Sequence, residues 1–187
     1  MEVTFMKKFG IKQVVATGIG TALFVVLTEV QIPIGIPNTA LQVRAALLAF
    51  IAAVFGPVVG GIVGLAGHAI GDAAFYGSIW WSWVFPEAIF GIMVGLFAKK
   101  FLIKEGGFGA KKIVLFNVIQ ILANILAWIV IAPVLDIVIY AEPANKVFVQ
   151  GAFACLGNVI IVAVLGSLLG AGYTKIGAKS SSLEKED

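Results

Sequence analysis

Six apolar stretches, at about residues 13–30, 43–55, 58–75, 84–103, 112–135 and 146–172, take up most of a chain of 187 residues and decide what it can fold into. A hydrocarbon core about 30 Å thick is crossed by about 20 helical residues, within a range of roughly 17–25, and all but the second stretch are long enough. Fusing the second and third into one helix bent at Gly56-Pro57 would give roughly 33 residues and a length of about 50 Å, too long for one span. Pro57 also restricts Gly56 and interrupts the helical ladder. Two antiparallel helices joined by a tight turn fit better. Composition excludes the soluble alternatives: the chain is 60% hydrophobic and 12% charged, against about 45–50% and 25% in ordinary globular domains. So few charges cannot coat a water-soluble monomer, and they do not make a disordered tail or a basic nucleic-acid-binding face. The expected fold is an all-α integral membrane protein, a six-transmembrane-helix bundle forming a single membrane domain over residues 1–187.

The placement of the basic residues tests the count of six. With the N-terminus inside, Lys7, Lys8, Lys12, Lys99, Lys100, Lys104, Lys111, Lys112, Lys175, Lys179 and Lys185 fall on the cytoplasmic side, and only Arg44 and Lys146 fall outside. Five spans would separate the lysines of 99–112 from those at the N-terminus. The positive-inside rule therefore favours six spans with both termini cytoplasmic. Thr28-Glu29-Val30 is not a small-residue cleavage site, so the first stretch reads as a retained helix rather than a signal peptide. The loop at about 104–111 is too short to fold alone, and the tail Ser180–Asp187 is polar and reads as frayed. No P-loop is present, so the chain cannot hydrolyse ATP alone. The single Cys155 excludes a disulfide framework and a thiolate zinc site, and the single His68 excludes bis-histidine haem ligation.

Polar residues inside apolar spans are the candidates for chemistry, because they are costly there. Gly56, Gly60, Gly64, His68 and Asp72 recur at every fourth position and lie almost in one row on a helix. The glycines admit a close neighbour. His68 and Asp72 read either as a ligand contact or proton relay, or as a packing pair at the outer interface. Asn117, Gln120, Asn124 and Trp128 share one face of the fifth span. Interhelical hydrogen bonding accounts at least as well for Asn117 and Gln120, while Asn124 and Trp128, nearer the outside, are the better ligand candidates. Gln150, Ala154, Gly157 and Asn158 form a similar face on the sixth span, and Gly166 and Gly170 read as packing positions.

The segment Gln31–Gln42, with Pro33, Pro37 and three isoleucines, is too apolar for a free loop and stiff enough to cap an outward-facing cavity. A resting place in the headgroup region is the plainer alternative. The connection Tyr76–Trp83 carries Trp80, Trp81 and Trp83, residues of an interfacial belt or of a stacking surface for a planar ligand. Glu87, after Pro86, is expected in the first turn of the fourth span, where it complements the helix dipole. Arg44 pairs either with Glu29 across the loop or with an anionic ligand group. On the first span, Ala16/Gly20 and Gly18/Ala22 are small-xxx-small pairs, suited to internal packing or to docking another membrane subunit.

The strings ATGIGTALFVVL (16–27), IPIGIPNTALQ (32–42), FGPVVGGIVGLAGHAIGD (55–72), YGSIWWSWV (76–84) and GIMVGLF (91–97) resemble the substrate-binding S components of energy-coupling factor (ECF) vitamin transporters, most closely the small-protein group catalogued as UPF0397. The second half resembles them mainly in layout. The resemblance implies a multi-pass protein of the prokaryotic plasma membrane with a vitamin site near the outer face, covered by loops. It also implies a membrane T component and two cytoplasmic ATPases as partners, and toppling of the S component to carry its ligand inward. The family's first helix meets the T component through Ala-xxx-Ala, for which this chain offers Ala16-xxx-Gly20 and Gly18-xxx-Ala22. The expected ligand contacts are Arg44, His68, Asp72, Tyr76, Trp81, Trp83, Glu87, Asn124, Trp128 and Asn158. The group is linked to riboflavin, hydroxymethylpyrimidine and cobalamin. Cobalamin is the expectation here, because polar amides and large loops with little charge frame the outer end. The rival readings are a stand-alone proton-coupled carrier using His68 and Asp72, and a structural membrane anchor. No nucleophile–base arrangement, metal cluster or cofactor motif points to an enzyme.

Overall fold

The computed structural model describes residues 10–36 and 39–183. Lys7, Lys8, Pro37 and Lys185 lie outside the described residues, as does the side chain of Lys179. Helix α1 (Ile11–Val26) ends in a single 3-10 turn, Leu27–Glu29, and leads into strands β1 (Gln31–Ile36) and β2 (Thr39–Gln42). Helices α2 (Arg44–Phe55), α3 (Pro57–Phe75), α4 (Trp81–Leu96) and the one-turn α5 (Ala98–Phe101) follow. Helix α6 (Ala110–Asn124) runs through a π turn, Ile125–Ile131, into α7 (Ala132–Tyr140). Helix α8 (Ala144–Ile161) runs through a second π turn, Val162–Gly166, into α9 (Ser167–Leu183). Among the described residues, four apolar helical stretches are long enough to cross a membrane: Ile11–Glu29, Pro57–Phe75, Ala110–Tyr140 and Ala144–Ile176. Arg44–Phe55 and Trp81–Leu96 are apolar but shorter.

The chain is mostly helical, with one amendment to an all-α reading. The expected cap loop is an antiparallel hairpin pairing Gln31 with Gln42, Ile32 with Leu41 and Pro33 with Ala40, with a register shift before Ile36–Thr39. Pro33 lacks a backbone donor, so it is tolerated in a two-stranded ribbon whose outer edge is unpaired. Of the tail read as frayed, residues 180–183 continue α9 as helix, and residues 184–187 lie outside the described residues. The fourth apolar stretch is shorter than 84–103: its helix begins at Trp81 and stops at Leu96.

Gly56, at φ +96°, makes the turn between α2 and α3, a conformation that glycine adopts without a Cβ penalty. Gly20 of α1 faces both Ile51 and Val63, which flank this turn on the two helices. The tightest seam joins α3 to α4. A Cβ on Gly60 would lie 2.6 Å from the Gly91 carbonyl oxygen, one on Gly64 would lie 2.7 Å from that of Glu87, and one on Gly91 would run into the Gly60 carbonyl. Backbones in such contact gain dispersion without a side chain between them. The seam sets His68, one turn beyond Gly64, opposite Glu87. Outside, α1 exposes Ile11, Val14, Val15, Ile19 and Val26, and α6 to α9 expose Val114, Leu122, Val138, Leu156 and Leu168. A surface of this kind is solvated by lipid.

Candidate functional site

A cavity of about 550 Å³ opens at the end of the bundle where α1, α3 and α7 finish and α2, α4 and α8 begin. Lys12 begins α1, Lys99 and Lys100 lie in α5 just past the end of α4, and Lys111 and Lys112 begin α6, which runs on into α7, so these lysines stand at the opposite end. The hairpin lies over the cavity and lines it through Gln31, Pro33, Thr39, Ala40 and Gln42. A side-chain bond from Gln42 Nε2 to Gln31 Oε1 (3.3 Å) joins the two strands, and Gln31 Nε2 reaches Tyr76 Oη at 3.3 Å.

Arg44, His68 and Asp72 line the cavity and are nonetheless buried. The first residue of α2 places the Arg44 guanidinium over the Phe24 ring, 4.9 Å from its centroid. Its Nη1 donates to Thr28 Oγ1 at 3.0 Å and its Nη2 to His68 Nε2 at 3.3 Å. With Nε2 accepting from arginine, the neutral ring carries its proton on Nδ1. That nitrogen faces Glu87 Oε2 at 3.5 Å, while Nε2 also lies 3.5 Å from Asp72 Oδ1. One cation, one imidazole and two carboxylates thus share a buried cluster. Arg44 Nε, His68 Nδ1 and Glu87 Oε1 have no hydrogen-bond partner among the described residues, which is costly in a buried setting unless something else meets them. Glu87 stands in the second turn of α4, turned inward rather than serving the helix end as expected. Glu29 is exposed, and no ion pair joins it to Arg44 among the described residues.

The aromatic wall is arranged differently from its sequence reading. Trp80 and Trp83 line the cavity. Trp81 starts α4, stacks on Phe85 at 5.6 Å and is not part of the lining. Trp80 stacks on Tyr140 at 4.2 Å, and Trp83 packs against Trp128 at 5.3 Å. Trp128 therefore backs the wall from behind. Asn124, also buried, donates to Gln120 Oε1 at 2.9 Å. Asn124 Oδ1 and Trp128 Nε1 are unpaired among the described residues. Asn158 is buried outside the lining, whereas Gln150, on the same helix, is in it. Asn117 and Gln120 are bonded between helices, to Ser167 Oγ at 3.0 Å and to the Val159 carbonyl at 3.3 Å.

With Thr39, Ser78 and Glu142, Asp136 is one of the lining residues that sequence reasoning missed. Its carboxylate accepts from Trp80 Nε1 at 2.7 Å, Ser82 Oγ at 2.5 Å and Trp83 Nε1 at 2.8 Å. Two signals were available: it closes an uncharged run from 113 to 135, and ionisable residues at span ends report on cavities. On the first helix the two small pairs divide. Gly20 is buried against Ile51 and Ala16 is half-buried, whereas Gly18 and Ala22 are exposed. An apolar groove of about 450 Å³ runs beside them between Ile19 and Leu23 of α1 and Leu47 and Phe50 of α2.

Residues 8–175 match the profile of the family described as ECF-type riboflavin transporter, S component. A UPF0397 protein of Exiguobacterium sp. is 51% identical over 182 residues, covering 97% of this chain and 100% of the relative. UPF0397 proteins of Lactobacillus helveticus (50%; 97% and 100% covered) and Streptococcus gordonii (48%; 100% of both) are similar over comparable lengths. No solved structure matches. A profile matched over nearly the whole chain, together with relatives near half identity along their full length, makes this chain a member of the ECF transporter S-component family.

Proposed function

We propose that the chain is the ligand-binding S subunit of an ECF-type importer, one membrane domain that takes up a vitamin at its outer face and delivers it inward with a T component and two ATPases. The observation that carries this reading is the cavity of about 550 Å³, covered by a hairpin, walled by indoles and reaching a buried charged cluster, inside a bundle with an apolar exterior. Six crossings with cytoplasmic termini suit the geometry. Helices α2 and α4, of 12 and 16 residues, cover about 18 and 24 Å at 1.5 Å per residue, and both begin at the cavity, so the hairpin and the 76–80 connection complete their passage. Lysines at the opposite end suit a cytoplasmic face.

The cavity also bears on the ligand. Its volume suits a compact heteroaromatic molecule, and the family description names riboflavin. A corrinoid is far bulkier, so cobalamin ranks behind a flavin or a hydroxymethylpyrimidine. Among the described lining residues, Asp72, Asp136 and Glu142 face Arg44 and Lys146, and Lys146 is already paired with Glu142 at 2.7 Å. With Glu87 behind Arg44, a phosphate would meet no uncompensated cation, so the ligand is neutral or cationic. Arg44, His68, Asp72, Tyr76 and Trp83 are the proposed contacts, with Glu87, Trp128, Asn124 and Asn158 behind them and Trp81 beside them.

Purified protein titrated with riboflavin, hydroxymethylpyrimidine and cobalamin should bind one of them without nucleotide, and a phosphate ester of that ligand at least about tenfold more weakly. Vesicles holding the chain alone should show no ATP-dependent uptake. Absence of binding across the panel would sink the proposal. A proton-coupled carrier is the second reading, favoured by His68 standing 3.5 Å from two carboxylates. Import that needs the ATPases and survives His68→Ala would remove it.

A further inference from the structure

Asp136 is buried in the cavity wall, yet most of its accepting capacity is taken up by the protein itself. Three donors face it: Trp80 Nε1 and Ser82 Oγ on one oxygen and Trp83 Nε1 on the other. All three come from the four residues 80–83 that open α4, and Asp136 sits on α7, 53 to 56 positions away. A carboxylate is an acceptor only, so an environment of three donors suits it. Charge-assisted bonds of this kind are about twice as strong as neutral ones. The same stretch is tied a second time, because the Trp80 backbone N–H donates to Asp72 Oδ2 at 3.0 Å. The Trp81 N–H donates to Tyr140 Oη at 3.1 Å, and Tyr140 stacks on Trp80 one turn of α7 beyond Asp136. The preceding helix α3 and the sequence-distant α7 therefore fix the entry to α4, and with it the two indoles that line the cavity.

We infer that Asp136 is a positioning residue for the ligand site: it orients the indole planes of Trp80 and Trp83 toward the cavity and does not itself bind the ligand. This rests on reading the cavity as the ligand site, and the test separates the two. The first readout needs no ligand. Trp80 and Trp81 are equally exposed, at 37% and 39%, and differ in that only the Trp80 indole N–H is bonded to Asp136. In detergent-solubilised protein carrying 15N-tryptophan, the indole N–H groups of Trp80 and Trp83 should exchange with solvent at least about tenfold more slowly than that of Trp81, as expected for a bond to a charged acceptor. In Asp136→Asn both should lose that protection while Trp81 stays unchanged. Ser82→Ala, which removes one donor, should leave most of it.

With riboflavin as the probe, Asp136→Asn should weaken binding at least about tenfold, mainly through faster dissociation, whereas a ligand contact at Asp136 would instead leave indole exchange unchanged. Equal exchange of Trp80 and Trp81 in the wild-type protein overturns the proposal even if the variant fails to fold. So does an Asp136→Asn protein whose indoles lose protection but whose riboflavin affinity is unaltered. Should the wild-type protein bind no vitamin, the ligand-site reading fails while the exchange data still decide whether Asp136 holds the indoles.

Discussion

On one side of the bundle, where α2, α3 and α4 meet, the buried polar residues are ionisable: Arg44, His68, Asp72 and Glu87. On the other side, along α6, they are amides: Asn117, Gln120 and Asn124. The amides bond mostly to one another and to α8 and α9, in a ladder from the Ser167 hydroxyl through Gln120 to Asn124. Arg44, His68 and Asp72 line the cavity with Glu87 behind them, and Arg44 Nε, His68 Nδ1 and Glu87 Oε1 are without protein partners among the described residues. The amides share one face of α6 and the other set is gathered from three helices, yet both are buried, so burial does not distinguish them. What separates them is where their hydrogen bonds end: the amide ladder largely closes within the protein, and the charged cluster opens toward the cavity.

The largest expected effect breaks the charged side. Arg44→Met leaves the Asp72 and Glu87 carboxylates buried beside His68 without the guanidinium, and removing one partner of a buried charge set costs about 3–5 kcal/mol. Thermal unfolding in detergent should report that loss, and binding of whichever vitamin the panel identifies should disappear with it. Adding Glu87→Gln should restore part of the stability without restoring the affinity. Additive effects of the two changes would show that the residues do not act as a unit.

The next effect is smaller and tests the amide side. Gln120 is fully buried and bonds Asn124, Asn117 and the Val159 carbonyl. Gln120→Leu strands those partners at a cost of about 1–3 kcal/mol, and vitamin affinity should change less than about twofold. A tenfold loss of affinity with unchanged unfolding temperature would put the ladder inside the binding site and erase the contrast.

The sequence made the charged side readable because every ionisable residue in an apolar span demands an explanation, and Arg44, His68, Asp72, Tyr76 and Trp83 do meet at one cavity. Glu87 was found but misplaced: its reading as a dipole partner assumed a helix starting at about residue 84, whereas the bonds of Trp83 and Val84 N–H to the Trp80 carbonyl start it about a turn earlier. That same start turns Trp81 outward and Trp80 inward. Asp136 escaped for a geometric reason. At 100° per residue it lies about 120° around the helix from Asn124, off the polar face. The π turn at Ile125–Ile131 turns less per residue and removes most of that offset, so Gln120, Asn124, Trp128 and Asp136 are all buried. Nothing in ILAWIVI marks a π turn. The hairpin, by contrast, was available as period-two alternation of Ile32, Ile34 and Ile36, but the prolines pointed the reading to a loop.

The division between residues turned to a task and residues spent on packing extends to the small pairs of α1, where the smallest effect on stability is expected. A Cβ on Gly20 would lie 2.8 Å from Ile51 Cδ1 and 3.1 Å from Val63 Cγ2, so enlarging Gly20 overpacks the bundle and disturbs binding and transport together. At Gly18 a Cβ meets nothing within 4 Å, and the neighbouring groove is apolar. Gly18→Leu should therefore leave the unfolding temperature and the vitamin affinity of the solitary protein unchanged, or raise stability by up to about 1 kcal/mol through better helix propensity. If the exposed Gly18/Ala22 face is where a T component docks, the added side chain holds two helix backbones apart, and uptake by vesicles containing the complete complex should fall severalfold. Uptake equal to that of the wild-type protein would move the docking face off Gly18 and leave the groove between Leu23 and Phe50 as the place to probe next.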